Sequence, residues 1–457
     1  MLKQASIHGQ WSSRMMFILA ATGSAVGLGN IWKFPYLAGE YGGGAFVLVY
    51  LLSIALIGIP VMMSEILVGR RGRQSPLNSL RTLVENEGAH REWQWIGAVG
   101  ILSALIVISF YSVIAGWALA YLVRTSAGVF MGVTHEGVGN IFTELVSDPE
   151  RLLAWHTIFM VMTTAVVSRG VKSGLEQAVR FMMPMLLLLL IFLVLYGSST
   201  GKLGDSFTYL FYPDFSKLSA AGMLEAMGHA FFTLSLGMGA IMIYGSYLPR
   251  DVSIGRATIL VASLDTIIAL LAGLAIFPIA MANGLDVDSG PGLIFQTLPV
   301  AFGQMPGGVL FGALFFLLLV FAAWTSAISL LEPGVAWLVE SLGMQRRRAT
   351  AWIGIAAWLL GMVTVMSFSG WAFEFEFAGE TKRNGMFDIF NILTAGILLP
   401  LAGLTIALFC GWGMRRDSVA DELDKKQGAG FELWYFVTRY ITPLAVFVVF
   451  LKAVGVF

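Results

Sequence analysis

Residues 186–196 read LLLLLIFLVLY, eleven in a row without a charged side chain, and comparable apolar stretches follow one another along the whole chain. About 20 apolar residues in a helix cross the hydrocarbon core of a bilayer. Backbone polar groups at that depth must be satisfied internally. The pattern therefore predicts an all-α integral membrane protein. Composition agrees: 57% of the 457 residues are hydrophobic and 12% charged, where soluble chains carry roughly twice that charged fraction. A water-soluble enzyme is excluded, because such a chain has too little polar surface to present.

The apolar stretches predict about 11 transmembrane helices, near residues 13–38, 44–69, 96–124, 155–169, 177–197, 222–247, 252–284, 305–342, 350–368, 387–412 and 434–457. With the N-terminus cytoplasmic, seventeen Lys and Arg residues fall on the inner side and six in outer loops, as the positive-inside rule requires. This orientation puts the C-terminus outside. The runs RRGR and QRRR then read as cytoplasmic caps of spans, not nucleic-acid patches. Formal net charge is zero, so no nucleic-acid partner is indicated. The single cysteine, Cys410, rules out an internal disulfide and a cysteine metal site. The first apolar stretch reads as a retained span and not as a cleaved signal. The chain is expected to be one membrane domain, its chemistry lying within the bilayer.

Two spans carry breaks. Span 1 contains Gly23, Gly27 and Gly29, and span 6 contains Gly237 and Gly239; each mid-helix glycine weakens a helix by about 1 kcal/mol relative to Ala. Small residues also serve close helix packing in membranes. Spans 1 and 6 occupy matching places if residues 1–200 (spans 1–5) and 201–412 (spans 6–10) form an inverted 5+5 repeat, followed by a loop and span 11 over 413–457. Interrupted segments at matching positions of two halves point to a transporter binding site. Asn30, Thr233, Ser235, Asp265, Thr325 and Ser326 supply oxygens around that depth, suited to a hard cation by analogy with calcium and magnesium. The intramembrane charges Lys33, Glu65, Asp265, Glu332 and Asp388 are costly and so candidates for function.

Residues 11–50, WSSRMMFILAATGSAVGLGNIWKFPYLAGEYGGGAFVLVY, together with FFTLSLGMG at 231–239 and Trp324-Thr325-Ser326, resemble the signatures of the neurotransmitter:sodium symporter family. The resemblance covers essentially the whole chain. It implies sodium-coupled symport of amino acids by alternating access, in a bacterial inner membrane, with the lipid bilayer and a small-molecule amino acid as partners; the pocket it implies holds no ionisable residue, which favours neutral, hydrophobic amino acids, the alternative being another small zwitterion such as glycine, taurine or a betaine. It implies two sodium ions. The first would use the Ala25 carbonyl, Asn30, Thr233, Asp265 and the substrate carboxylate. The second would use the Gly23, Val26 and Ala322 carbonyls with the Thr325 and Ser326 hydroxyls. The substrate ammonium would meet Ala25, Phe232, Thr233 and Ser235, and its carboxylate the Leu28 and Gly29 amides and Tyr111. Tyr111 and Phe232 would form a lid, and Val107, Met238, Ser326 and Leu330 the side-chain pocket. Lys33 with Asp388 matches the outer gate, and Trp11, Tyr247, Glu332 and Glu340 the inner gate. Gly174 and Pro184 match a helix 5 motif that unwinds to hydrate the second sodium site.

Four positions depart from the family pattern: His8 replaces an N-terminal Arg, His229 a Gln, Asp265 an Asn, and Ala269 the Ser of chloride-dependent members. Chloride is accordingly expected not to be required. The chain is also expected to hold eleven spans where many members hold twelve. A channel is disfavoured because selective pores are built from symmetric rings, and a sensor because the cytoplasmic tails are short.

Overall fold

The structure, a computed structural model, describes residues 6–285, 292–423 and 427–456. Among them, nine helices are long and apolar enough to cross a membrane. Arg14–Ala25 and Gly29–Glu40, bent by 56° at a short break, make a tenth together. The fold is overwhelmingly helical, as expected. Where one span was expected over 222–247, two helices, Ala220–Thr233 and Ala240–Ser246, flank the non-helical stretch 234–239.

The leucine run lies in Gln177–Ser198 and faces outward, Leu188 and Leu195 each being 61% exposed. A helix this apolar on its open face belongs in lipid. At the centre, Arg14–Ala25 packs on Ile254–Ala282, Gly308–Leu342, Gln177–Ser198 and Ala240–Ser246. The broken helices are thus enclosed by the others.

Several details depart from the spans read in the sequence. The fourth begins at Pro149, not 155, because Asp148 caps it by accepting from the Glu150 and Arg151 amides. Pro184 leaves Gln177–Ser198 continuous, and the irregular part of this span is the wide π-helical stretch Val171–Glu176, which contains Gly174. The loops fold into short helices, including Pro76–Glu87, His135–Ser147 and Leu203–Phe211. One antiparallel hairpin, Phe375–Phe377 with Glu380–Lys382, interrupts the all-helical expectation.

Candidate functional site

The break in span 1 leaves backbone groups that must find partners, and they find them in other helices. The Gly27 amide donates to Asn30 Oδ1 at 3.0 Å and the Leu28 amide to the Tyr111 hydroxyl at 3.3 Å. The Ser235 hydroxyl, in the break of span 6, donates to the Ser24 carbonyl at 2.7 Å, joining the two breaks. Ser235 itself has φ +54°, uncommon for a non-glycine residue. Gly237 and Gly239 take φ +78° and +68°, which glycine adopts without penalty. The Gly237 amide donates to Glu65 Oε1 at 2.6 Å, so this buried carboxylate holds the span 6 break in place. Gly27 admits no side chain: a Cβ there would lie 2.8 Å from both Ser326 Oγ and Tyr111 OH.

Two clusters of oxygen converge on these breaks. In one, Ser326 Oγ lies 3.1 Å from the Ser24 and Val26 carbonyls, 3.3 Å from that of Ala322 and 3.4 Å from that of Gly23. The Thr325 hydroxyl lies 3.1 Å from the same Ala322 carbonyl. A hydroxyl has one proton to donate, so the acceptors outnumber the donors, and a cation fits this donor set. Met183 packs onto it from helix 5: a Cβ at Gly23 would lie 3.0 Å from Met183 Sδ and 3.2 Å from Thr325 Cβ.

In the other cluster, the fully buried Asp265 accepts from Asn30 Nδ2 at 2.8 Å. It also accepts from the Thr233 hydroxyl at 3.2 Å and the Tyr50 hydroxyl at 3.3 Å. Among the described residues no Lys or Arg pairs with this carboxylate within 4 Å. A buried carboxylate without a positive partner is costly, and this one too fits a bound cation. Ala25, the last residue of Arg14–Ala25, is buried.

Above these clusters opens a cavity of about 580 Å³, whose lining includes Leu28, Gly29, Tyr111, Phe232, Lys33 and Phe387. Val107, Met238, Ser326 and Leu330 do not line it and are buried. Tyr111 and Phe232, by contrast, are on the cavity wall.

The face opposite the vestibule is shut. Trp11 is 2% exposed, and its indole donates to the Tyr244 carbonyl at 3.0 Å. The Tyr247 hydroxyl donates to Glu332 Oε1 at 2.6 Å, and Arg346 forms a two-pronged pair with the same buried carboxylate. His8 pairs with Glu340 at 3.1 Å, and Ser75 and Asn78 also donate to Glu340.

The expected Lys33–Asp388 contact is not made. Lys33 Nζ instead lies 3.7 Å from Glu225, and Asp388 accepts the Asn384 amide at 2.8 Å. Sequence reasoning also missed Tyr50, Glu225 and the pairing of Arg346. Tyr50 closes the run quoted for span 2, and Arg346 sits in the QRRR cap; in neither case does local sequence disclose the distant partner.

A membrane bundle whose two broken helices meet over clustered oxygens, beneath an open vestibule and above a closed inner face, is the architecture of a secondary transporter. The comparisons with known proteins specify which. The profile of the sodium:neurotransmitter symporter family matches residues 8–131 and 135–457, and the chain belongs to this family. It is 36% identical over 450 residues to the uncharacterized sodium-dependent transporter YhdH of Bacillus subtilis, covering 98% of each chain. It is 25% identical over 391 residues to the sodium- and chloride-dependent glycine transporter 2 of Xenopus laevis, covering 68% of this chain and 48% of that protein. Its structure matches that of MhsT in complex with L-phenylalanine, with a TM-score of 0.88 and 41% identity over 97% of this chain and 99% of that one. The protein is a sodium-dependent symporter with multiple membrane spans, and not an enzyme.

Proposed function

We propose that this symporter imports neutral, hydrophobic amino acids, driven by two sodium ions and without chloride, by alternating access in a bacterial inner membrane. The observation that carries the reading is the meeting of the span 1 and span 6 breaks beneath Tyr111, with the Thr325–Ser326 cage on one side and Asp265 on the other. The Leu28 and Gly29 amides, the first now on the Tyr111 hydroxyl, would meet the substrate carboxylate, and the Ala25, Phe232 and Thr233 carbonyls its ammonium. No ionisable residue occupies the side-chain positions Val107, Met238, Ser326 and Leu330, which favours uncharged substrates. A sodium beside Asp265 would touch the substrate carboxylate and couple the two directly. MhsT, the structural neighbour, holds L-phenylalanine, which agrees with a pocket for large apolar side chains.

In this reading the broken pair Ala220–Thr233 and Ala240–Ser246 is the eleventh crossing, and the two breaks are the matching points of an inverted repeat. The N-terminus is cytoplasmic and the C-terminus outside. Lys33 and Asp388 meet only as the vestibule closes; Tyr247, Glu332 and Glu340 part, and Trp11 leaves its pocket, as the inner side opens. Gly174 and Pro184 let helix 5 yield beside Met183 and water reach the second ion.

Reconstituted protein should accumulate leucine, isoleucine or phenylalanine only under an inward sodium gradient, with saturation. A thermal-shift screen of all amino acids in sodium buffer should rank these above charged ones. Binding confined to glycine and alanine would overturn the substrate reading.

A further inference from the structure

The vestibule contains a charge arrangement that sodium and substrate binding do not use. Glu225 lies between two ammonium groups: Lys452 Nζ at 2.8 Å from Oε1 and Lys33 Nζ at 3.7 Å from Oε2. The three come from separate elements, the wide turn Gly29–Lys33, the helix Ala220–Thr233 and the last helix Thr442–Ala453, and all three line the cavity. We propose that Glu225 is the acid that holds Lys33 while the vestibule is open, and that Lys452 is a positioning residue that keeps Glu225 compensated when Lys33 leaves to close the gate. This inference rests on the transport reading above.

The geometry is unequal in the way such an exchange needs. Lys452 makes a hydrogen-bonded pair with Glu225, whereas Lys33, at 3.7 Å, is held by charge alone. Lys452 is also the more covered cation, its side chain 25% exposed against 41% for Lys33. Three residues on, the backbone packs against the hairpin turn: a Cβ at Gly455 would lie 2.9 Å from Ala378 Cβ. Asp388 forms no ion pair among the described residues and is available as a second acceptor for Lys33.

When the vestibule narrows it also dries, and a carboxylate abandoned there loses its water as well as its partner. The cost of an unpaired charge rises steeply as the surroundings become less polar. Lys452 removes that cost because Glu225 is never left alone. Without Lys452, Lys33 becomes the only counter-charge of Glu225 and is retained there, holding the vestibule open.

The test uses the full chain in proteoliposomes. Lys452→Met keeps an unbranched side chain of similar size and deletes its charge. It should lower the maximal rate of sodium-driven uptake roughly two- to fivefold, the range of an exposed ion pair, while Lys452→Arg stays near wild type. Adding Glu225→Gln should restore the rate, since no carboxylate is then stranded; a merely structural defect would not be rescued. A second readout does not depend on transport. The only native cysteine, Cys410, is buried, so Ala395→Cys on the cavity wall reports vestibule access by its labelling rate. Lys452→Met should raise that rate and Glu225→Gln should reverse the rise. Absence of sodium-driven uptake in the wild type would count against the transport reading, with labelling still testing the exchange. Unchanged labelling and uptake in Lys452→Met, or a defect that Glu225→Gln does not relieve, would overturn the proposal.

Discussion

The two oxygen clusters differ in how they are satisfied. Around Asp265, three donors, the Asn30 amide and the Thr233 and Tyr50 hydroxyls, face one carboxylate. Around Ser326, four carbonyls face its hydroxyl, with the Ser235 hydroxyl also on the Ser24 carbonyl and the Thr325 hydroxyl on that of Ala322. The first brings a full negative charge of its own and holds its shape through hydrogen bonds. The second is neutral, and its carbonyls outnumber the hydroxyls that face them, so a cation would complete it. An ion should therefore stabilise the Asp265 cluster mainly by charge, and the Ser326 cluster mainly by coordination.

The largest effect should come from stripping the neutral cluster of its side-chain ligands. Thr325→Ala with Ser326→Ala removes two oxygens that no neighbour replaces. At roughly 1.5 kcal/mol for each bond to a charged partner, the sodium concentration for half-maximal binding should rise about a hundredfold. Titration of sodium by thermal shift measures this. Unchanged sodium dependence in a folded double variant would remove this cluster as an ion site.

Asp265→Asn should cost less. A unit charge at about 4 Å attracts sodium by roughly 4 kcal/mol at an effective dielectric of 20, but burying the carboxylate offsets much of that. Asparagine also keeps one oxygen ligand. Sodium affinity should fall about tenfold, near 1.4 kcal/mol. A loss greater than that of the double hydroxyl variant would reverse the ranking of charge and coordination.

How much of this was legible in the sequence differs between the two clusters. Adjacent hydroxyls at Thr325 and Ser326 opposite a glycine-rich break could be read directly, because both features are local. Asp265 could also be flagged, since a carboxylate deep in an apolar run is costly. Tyr50 and Glu225 could not be assigned, because their roles depend on contacts with residues more than a hundred positions away, and hydropathy carries no such information. The resemblance supplied Lys33 and Asp388 as a pair, yet the sequence holds no record of which conformation brings them together. The break in span 6 was legible from Gly237 and Gly239, although its extent, 234–239, was not, because Leu234, Leu236 and Met238 are as apolar as the flanking helices. The hairpin at 375–382 was invisible for the opposite reason: it is too short to show alternation.

A smaller effect should follow at the edge of the neutral cluster. Met183→Ala removes the thioether that covers Gly23 and Thr325, letting water approach from the helix 5 side. Release of sodium to the inner face should quicken roughly two- to fivefold, about 0.5–1 kcal/mol, with sodium affinity measured from outside little altered. Stopped-flow release into sodium-free buffer would resolve it. A change confined to the response to Asp265→Asn would place Met183 with the wrong cluster.

The smallest expected effect, none within twofold, is that of removing chloride, and it sharpens the comparison most. If the Asp265 cluster carries its own fixed anion, a mobile anion beside it has nothing to balance. Ala269, buried and one helical turn beyond Asp265 on the same helix, offers no hydroxyl to hold a halide. The Tyr50 and Thr233 hydroxyls, the other donors nearby, are already directed at the carboxylate. A second negative charge would meet repulsion of the same order as the attraction that draws sodium in. His229 is the one neighbour with donor capacity to spare: it is fully buried against Phe34 and Tyr50, and neither ring nitrogen has a hydrogen-bond partner. Uptake with chloride replaced by gluconate at constant sodium decides the matter, and a several-fold loss of rate would show that an anion does bind there. Asp265→Asn should then separate the two possibilities further. With the carboxylate gone and His229 still present, the cluster gains room for an external anion, and uptake should become responsive to chloride. If it stays indifferent in the variant as well, the carboxylate was not what made chloride unnecessary.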